Sequence, residues 1–275
     1  MRLFSVTLFQ TPERAAMAEH FYSQLLGLPE PVEYPGDTFM WFSDGVRLAS
    51  QPDPEVNEEP ETISPTFSGL QFNLVPAADL NPIVARIRGT GIRQPEPREL
   101  PDGRRVVSVH DPSGNVLMLV GLDEETEEPS LPDGIASCSL FSADLARSKQ
   151  FFCEGLSLPI RAELGEDLLV LDSGSATAIL IYKAADPSNP NTPVGRRTGL
   201  NFSSLSPAET LDQVEKSGGA VLDRLIQPSG VVSAGTFTDP DGNQFTLLDQ
   251  TALIETGSED FTARPRTGGR RKRAE

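Results

Sequence analysis

The chain has 275 residues, enough for about two domain-sized units, and its formal net charge of −17 makes it a poor partner for nucleic acid or anionic lipid. Hydrophobic residues are 37% of the total beside 24 prolines and 23 glycines, a composition of turn-rich soluble globular proteins. Two cysteines, Cys138 and Cys153, provide no disulfide framework, and no apolar run approaches a membrane span. The N-terminal stretch is broken by Gln10, Pro12 and Glu13 too early for a signal peptide, so a cytoplasmic protein is expected.

Leu3 to Phe9 is an apolar, β-branched run that predicts a strand. Thr11-Pro12-Glu13 then predicts a helix start, with Thr11 as N-cap, and Ala15, Ala18, Phe21, Tyr22 and Leu25 follow at helical spacing up to Gly27. Thr38 to Ser43 and Val46 to Ser50 flank Asp44-Gly45 as a hairpin. Residues 51–65, with Asp53, four glutamates and the prolines Pro54, Pro60 and Pro65 among them, predict a loop of solvated charge. A strand from Gly69 to Val75, a helix from Asp79 to Arg88 ending at Gly89 or Gly91, and strands at Arg105 to His110 and Val116 to Val120 complete a first unit.

The second half repeats this order. Ser137 to Phe141 predicts a strand, Asp144 an N-cap, and Leu145, Ser148, Phe151 and Phe152 a helix. Leu168 to Asp172 and Thr177 to Tyr182 flank Ser173-Gly174 as a hairpin, and 186–193 a Pro/Asn loop. Leu200 to Leu205 is the next strand, and Ser206-Pro207-Ala208-Glu209 predicts a capping-box helix that stops at Gly218-Gly219. Val231 to Thr238 and Gln244 to Leu248 close the unit.

The repetition is visible residue by residue. Asp111-Pro112-Ser113-Gly114-Asn115 returns as Asp239-Pro240-Asp241-Gly242-Asn243, 128 residues later. Phe21-Tyr22 with Leu28-Pro29 returns 130 residues later as Phe151-Phe152 with Leu158-Pro159, and Gly69-Leu70-Gln71-Phe72 as Gly199-Leu200-Asn201-Phe202. Landmarks in one order at one offset mark an internal duplication. The expected division is a first module over 1–122, an acidic linker over 123–132, a second module over 133–252, and a disordered basic tail over 253–275. Arg264, Arg266, Arg270, Arg271, Lys272 and Arg273 make that tail basic, so the rest of the chain is more acidic than the total suggests.

Strand, helix, then strands ending in an Asp-Pro-x-Gly-Asn hairpin, made twice, resembles the vicinal oxygen chelate superfamily of glyoxalase I, bleomycin-resistance proteins, fosfomycin-resistance enzymes and extradiol dioxygenases. The resemblance covers residues 2–250. It implies an α+β fold of two tandem βαβββ modules with sheets curved around a cavity. In the family's enzymes a divalent metal is held by a His or Gln on the first strand and a Glu on the last. Those positions fall here on Ser5 and Ser137, and on Met118 and Thr246; the His position of the dioxygenases falls on Gly69 and Gly199. None is a usual metal ligand, so neither metal nor cofactor is expected.

Strand alternation extends the candidate lining. With Ser5 and Met118 facing inward, Leu3, Thr7, Phe9, Val116 and Val120 join them; with Ser137 and Thr246 inward, so do Ser139, Phe141, Gln244 and Leu248. Such an apolar lining with a few hydroxyls and amides suits a small-molecule pocket, and would equally fill the space between sheets. The candidate ligand-binding residues are Ser5, Thr7, Phe9 and Met118, with Trp41 as a stacking residue unless it fills the core, and Ser137, Ser139, Phe141, Gln244 and Thr246. His20 is expected on a helix surface, His110 solvated at a strand end, and both cysteines as packing residues.

The resemblance implies a metal-free protein of the bleomycin-resistance type, sequestering an antibiotic or a hydrophobic or aromatic metabolite. An alternative is a divergent lyase, isomerase or dioxygenase with an unconventional site, for which His110 is a candidate acid or base. A third reading is an interaction module whose basic tail meets an acidic partner. A small-molecule ligand is the expected partner, with neither nucleic acid nor membrane, and a homodimer is one arrangement the resemblance allows.

Overall fold

Among the residues described by the computed structural model (1–41, 46–53, 70–75, 80–88, 90, 98–99, 105–121, 131–187 and 194–251), four βαβββ units follow one another, two in each sequence repeat. The first is β1 (Arg2–Gln10), α1 (Pro12–Glu19), β2 (Val32–Tyr34), β3 (Thr38–Trp41) and β4 (Arg47–Pro52). The second is β5 (Leu70–Val75), α2 (Asn81–Arg88), β6 (Arg98–Glu99), β7 (Arg105–His110) and β8 (Val116–Gly121). The third is β9 (Leu131–Ser142), α3 (Leu145–Lys149), β10 (Ile160–Leu164), β11 (Leu168–Asp172) and β12 (Ala178–Lys183). The fourth is β13 (Arg197–Ser204), α4 (Pro207–Lys216), β14 (Ala220–Ile226), β15 (Val232–Thr238) and β16 (Gln244–Asp249).

The sheets do not follow the sequence repeats. One eight-stranded sheet, A, runs β14-β15-β16-β13-β1-β4-β3-β2, joining the first unit to the fourth. The other, B, runs β10-β11-β12-β9-β5-β8-β7-β6, joining the third to the second. The central pairs β1–β13 and β5–β9 are antiparallel, and β1–β4, β13–β16, β5–β8 and β9–β12 are parallel. Each half of the chain thus contributes four strands to each sheet.

The predicted hairpins are present as antiparallel β3–β4 and β11–β12. The Asp44-Gly45 turn, Asp79, Gly89, Gly91, most of the 51–65 loop, residues 123–130 of the linker and the tail lie outside the described residues, while Leu131 and Pro132, expected in the linker, begin β9. Four strands, β2, β6, β10 and β14, were not expected. All are sheet edges, and their exposed and charged positions carry little burial signal, as in Val32-Glu33-Tyr34 and Ile160-Arg161-Ala162-Glu163-Leu164.

Helix starts fall as expected but are not all capped as expected. Asp144 caps α3, its carboxylate accepting from the amides of Ala146 and Arg147 at 3.0 and 3.1 Å. Thr11 and Ser206 make no side-chain cap; the Thr11 amide instead donates to Ser113 Oγ at 3.1 Å, and Ser204 Oγ accepts from the Ser206 amide at 3.1 Å. After α1 and α3 the backbone widens into a π-helical turn, His20–Leu25 and Gln150–Gly155. The aromatic pairs sit in these turns: Phe21 with Tyr22, and Phe151 with Phe152, edge-to-face at 5.1 and 5.0 Å and buried.

The helices lie on one face of the strands. Val6, Leu8, Leu48, Phe39, Phe202, Phe245 and Leu247 of sheet A and Leu70, Phe72, Leu117, Leu119, Cys138, Leu140 and Ile179 of sheet B share one core with Phe21, Tyr22, Phe151 and Phe152, the Phe152 ring lying 5.8 Å from that of Phe245. Burial of one such Phe stabilises by about 1.5–3 kcal/mol. Among the described residues, the opposite face of each sheet bears none of this core. We call it the open face.

Trp41 belongs to the helix side. It is 1% exposed, lies 4.9 Å from the Tyr22 ring, and donates through Nε1 to Ser23 Oγ at 3.1 Å. Its partner in register is Leu48, itself paired with Val6, and this parity turns it away from Ser5. The expected stacking role is therefore corrected to a packing one. Leu3 is corrected likewise, because an irregularity between Leu3 and Ser5 shifts the β1–β13 register and sends Leu3 into the core.

The repeated turns join the sheets. Asp111 accepts from the Ser113 and Asn115 amides at 2.9 and 2.8 Å, and also from Asn115 Nδ2, Gln10 Nε2 and Tyr22 OH at 2.7, 2.7 and 2.9 Å. Asn115 Nδ2 reaches the Phe9 carbonyl at 3.1 Å, so a turn of sheet B holds the end of β1 in sheet A. In the second copy Asp239 accepts from the amides of Asp241 and Asn243, both at 2.9 Å, and Asn243 Nδ2 reaches the Phe141 carbonyl of sheet B at 3.0 Å. Gly114 and Gly242 close the turns at φ 89° and 83°.

Candidate functional site

The strand exchange divides the candidate residues differently from the sequence repeats. Ser5, expected beside Met118, shares sheet A with Gln244 and Thr246; Met118 shares sheet B with Ser137, Ser139 and Phe141. The expectation that Ser5 and Met118 line one surface is corrected: β1 and β8 lie in different sheets. There are two candidate faces, each assembled from both halves of the chain.

On sheet A, Ser5 faces Asn201 of β13, and Asn201 faces Thr246 of β16. The Asn201 amide donates to Ser5 Oγ at 3.0 Å and to Thr7 Oγ1 at 2.9 Å, so both hydroxyls are engaged within the sheet. Arg47 lies across from Ser5 on β4, its guanidinium 4.8 Å from the Phe4 ring. Phe9, two residues beyond Thr7, is covered by the Arg197 guanidinium 3.5 Å from its ring centroid. Arg197 in turn pairs with Asp53. Asp53 is thereby corrected from solvated loop charge to a buried ion-pair partner. Gln244 begins β16, half-buried, beside Arg197.

On sheet B, Gln71 replaces Asn201: Ser137 faces Gln71, and Gln71 faces Met118. Ser137 Oγ lies 3.3 Å from Gln71 Oε1. Ser139 is 3% exposed, and among the described residues its hydroxyl meets no partner. Phe141 faces Tyr182 of β12 with ring centroids 5.8 Å apart and planes 30° apart, and burial raises the Tyr182 phenol above its usual range. Gln71, Asn201, Tyr182 and Arg197 were not among the expected residues. The repeat carried a signal for two of them, because Gly-Leu-Gln-Phe and Gly-Leu-Asn-Phe keep an amide in one slot.

The positions expected from the resemblance to hold a metal are therefore Ser5 and Thr246 on one face, with Asn201 between them, and Ser137 and Met118 on the other, with Gln71 between them. This set offers hydroxyls, amides and a thioether but neither imidazole nor carboxylate, and it does not fit a divalent transition metal. Among the described residues no three His, Cys, Asp or Glu side chains cluster. His20 and His110 are both exposed, His110 at the end of β7. Cys138 is fully buried on the helix side, where burial drives its thiol well up, and Cys153 is half-buried with its thiol also raised, chiefly by burial.

The strongest electrostatic perturbations lie in the repeated turns. Burial pushes Asp239 up to about 6 and also raises Asp111, in both cases against the hydrogen bonds from their Asn partners. Tyr22 is raised well above its ordinary value, first by burial and then by Asp111. These groups are saturated by hydrogen bonds at the junction of the sheets and face away from both open faces, so their role is structural. No helix among the described residues is long and apolar enough to cross a membrane.

Residues 138–248 match the family model described as a glyoxalase-like domain. Glyoxalase I from Zea mays is similar in structure at a TM-score of 0.61 and 16% identity, covering 92% of this chain and 94% of the maize protein. A proposed dioxygenase from Bacillus subtilis is similar at a TM-score of 0.60 and 16% identity, covering 90% of this chain and 85% of its own. At such identities the likeness is one of fold. A search of curated protein sequences returned no match. The second half of the chain thus matches a glyoxalase-like domain, and the fold over its whole length is the one it shares with maize glyoxalase I.

Proposed function

We propose that this protein binds a small, largely apolar or aromatic molecule against an open sheet face, without a metal ion, and holds it rather than transforming it. The observation that carries the reading is the set of neutral side chains at and between the expected metal positions, buried Ser5 with half-buried Asn201 and Thr246, and buried Ser137 with half-buried Gln71 and Met118. Hydroxyls and amides that orient a ligand, set in apolar surroundings, are the ordinary make-up of a small-molecule site. A bleomycin-resistance-like sequestering role, with the antibiotic or metabolite as ligand, accords with this chemistry.

The test is native mass spectrometry of freshly purified, untagged protein with metal analysis of the same sample. The expected result is protein without stoichiometric transition metal, carrying a small-molecule adduct or acquiring one from an apolar metabolite extract. About one transition-metal ion per chain, restored after chelation and needed for ligand uptake, would overturn the metal-free reading and favour a lyase, isomerase or dioxygenase.

A further inference from the structure

The two open faces occupy equivalent positions in the duplication, so they can be compared rung by rung. Around Ser5 and its counterpart Ser137, Arg47 of sheet A is replaced by Ala178 of sheet B. Around Phe9 and Phe141, Gln51 is replaced by Tyr182. On the last strands Thr246 and Gln244 are replaced by Met118 and Val116, all four half-buried. Each exchange runs one way, from polar or charged in A to apolar or aromatic in B. The hydroxyls differ too: Thr7 is engaged by Asn201, while its counterpart Ser139 is buried and, among the described residues, without a partner. Ser203, the other hydroxyl on an open face without a partner among the described residues, lies beside Arg2 and Leu248, a step beyond the Asn201 cluster.

We propose that the open face of sheet B alone takes the apolar or aromatic ligand, with Met118, Val116, Leu180 and Tyr182 as its apolar contacts and Ser139 Oγ as the polar anchor. Sheet A, whose Ser5 and Thr7 hydroxyls are engaged by Asn201 and whose Phe9 is covered by Arg197, is its non-equivalent relic. This rests on the binding reading above and adds to it a location and a ligand chemistry: an uncharged molecule with a planar apolar surface and one hydrogen-bonding group able to meet a serine hydroxyl. A buried hydroxyl left unpaired is unfavourable, and a ligand that pairs it gains that term on binding.

The experiment gives sheet B the residues of sheet A. Val116→Gln with Met118→Thr is compared with Met40→Thr, which removes an apolar contact from the open face of sheet A, by fluorescence titration with Nile red, an uncharged planar dye. Thermal melts accompany each protein, and Tyr182→Gln serves as a second sheet B variant should the double variant not fold. The expected result is saturable binding near one dye per chain, weakened about tenfold or more by either sheet B variant and unchanged by Met40→Thr. Weakening by Met40→Thr with folded sheet B variants unaffected would overturn the location and leave the binding reading intact. Absence of saturable binding to the unaltered protein would overturn both.

Discussion

Asn243→Ala removes the side chain through which the second repeated turn grips the other sheet. Its Nδ2 donates to the Phe141 carbonyl at 3.0 Å and to Asp239 Oδ2 at 2.8 Å, and its Oδ1 accepts from the Gly195 amide at 3.0 Å. Two neutral bonds at ~1 kcal/mol each and one to a carboxylate at ~1.5–3 kcal/mol give a loss of about 4 kcal/mol. The loss should depend on pH. Asp239 has its folded value raised to about 6, so the stability tied to this group is greatest at low pH and falls as pH rises through that value. Asn243 is among the bonds that lower Asp239, so its removal raises the folded value further and deepens the penalty on the ionised form. Urea unfolding followed by far-UV circular dichroism should therefore show a larger deficit at about pH 8 than at about pH 5. A deficit below ~1 kcal/mol, or one equal at both pH values, would refute the reasoning.

Trp41 is the only tryptophan and lies on the helix side of sheet A, so its emission should be blue-shifted, poorly quenched by acrylamide and nearly unchanged on ligand saturation; a large ligand-induced change would contradict its placement. Gly219→Ala puts a methyl group onto the Thr238 carbonyl and within 2.7 Å of the Phe151 ring, where α4 meets the third unit, and should lower stability by about 1–3 kcal/mol in a thermal melt. Ser139→Ala, which removes a hydroxyl without a partner, should be neutral or slightly stabilising in the ligand-free protein yet weaken ligand binding; a clear loss of unliganded stability would show that the hydroxyl is satisfied.

The duplication was legible in the sequence because its landmarks are local. Asp-Pro-x-Gly-Asn closes a turn within five residues, and the Phe-Tyr and Phe-Phe pairs mark one helical turn in each half. What strands do with distant partners was not legible. Alternation along β1 predicted the faces of Ser5, Thr7 and Phe9, then failed at Leu3, where one irregularity in pairing with β13 reverses the parity. No local pattern reveals that β1 prefers β13 to β5, so Ser5 and Met118 were assigned to one surface. Asn201 and Gln71 were visible as repeat landmarks but gained meaning only when register put them beside Ser5 and Ser137. Trp41 was placed by its neighbours in register, Leu48 and Val6, rather than by its chemistry.

The exchange of strands between the halves makes the chain a covalent dimer. A symmetric pair of identical single modules assembled this way would build two sheets with identical open faces, and every substitution would appear on both at once. Joining the halves in one chain breaks that bond between the faces: Thr246 and Met118 occupy one symmetry-related position yet drift independently. One face can then specialise while the other keeps the scaffold together. A break anywhere between residues 121 and 131 should leave two fragments that each lack half of both sheets and recover the fold only when mixed.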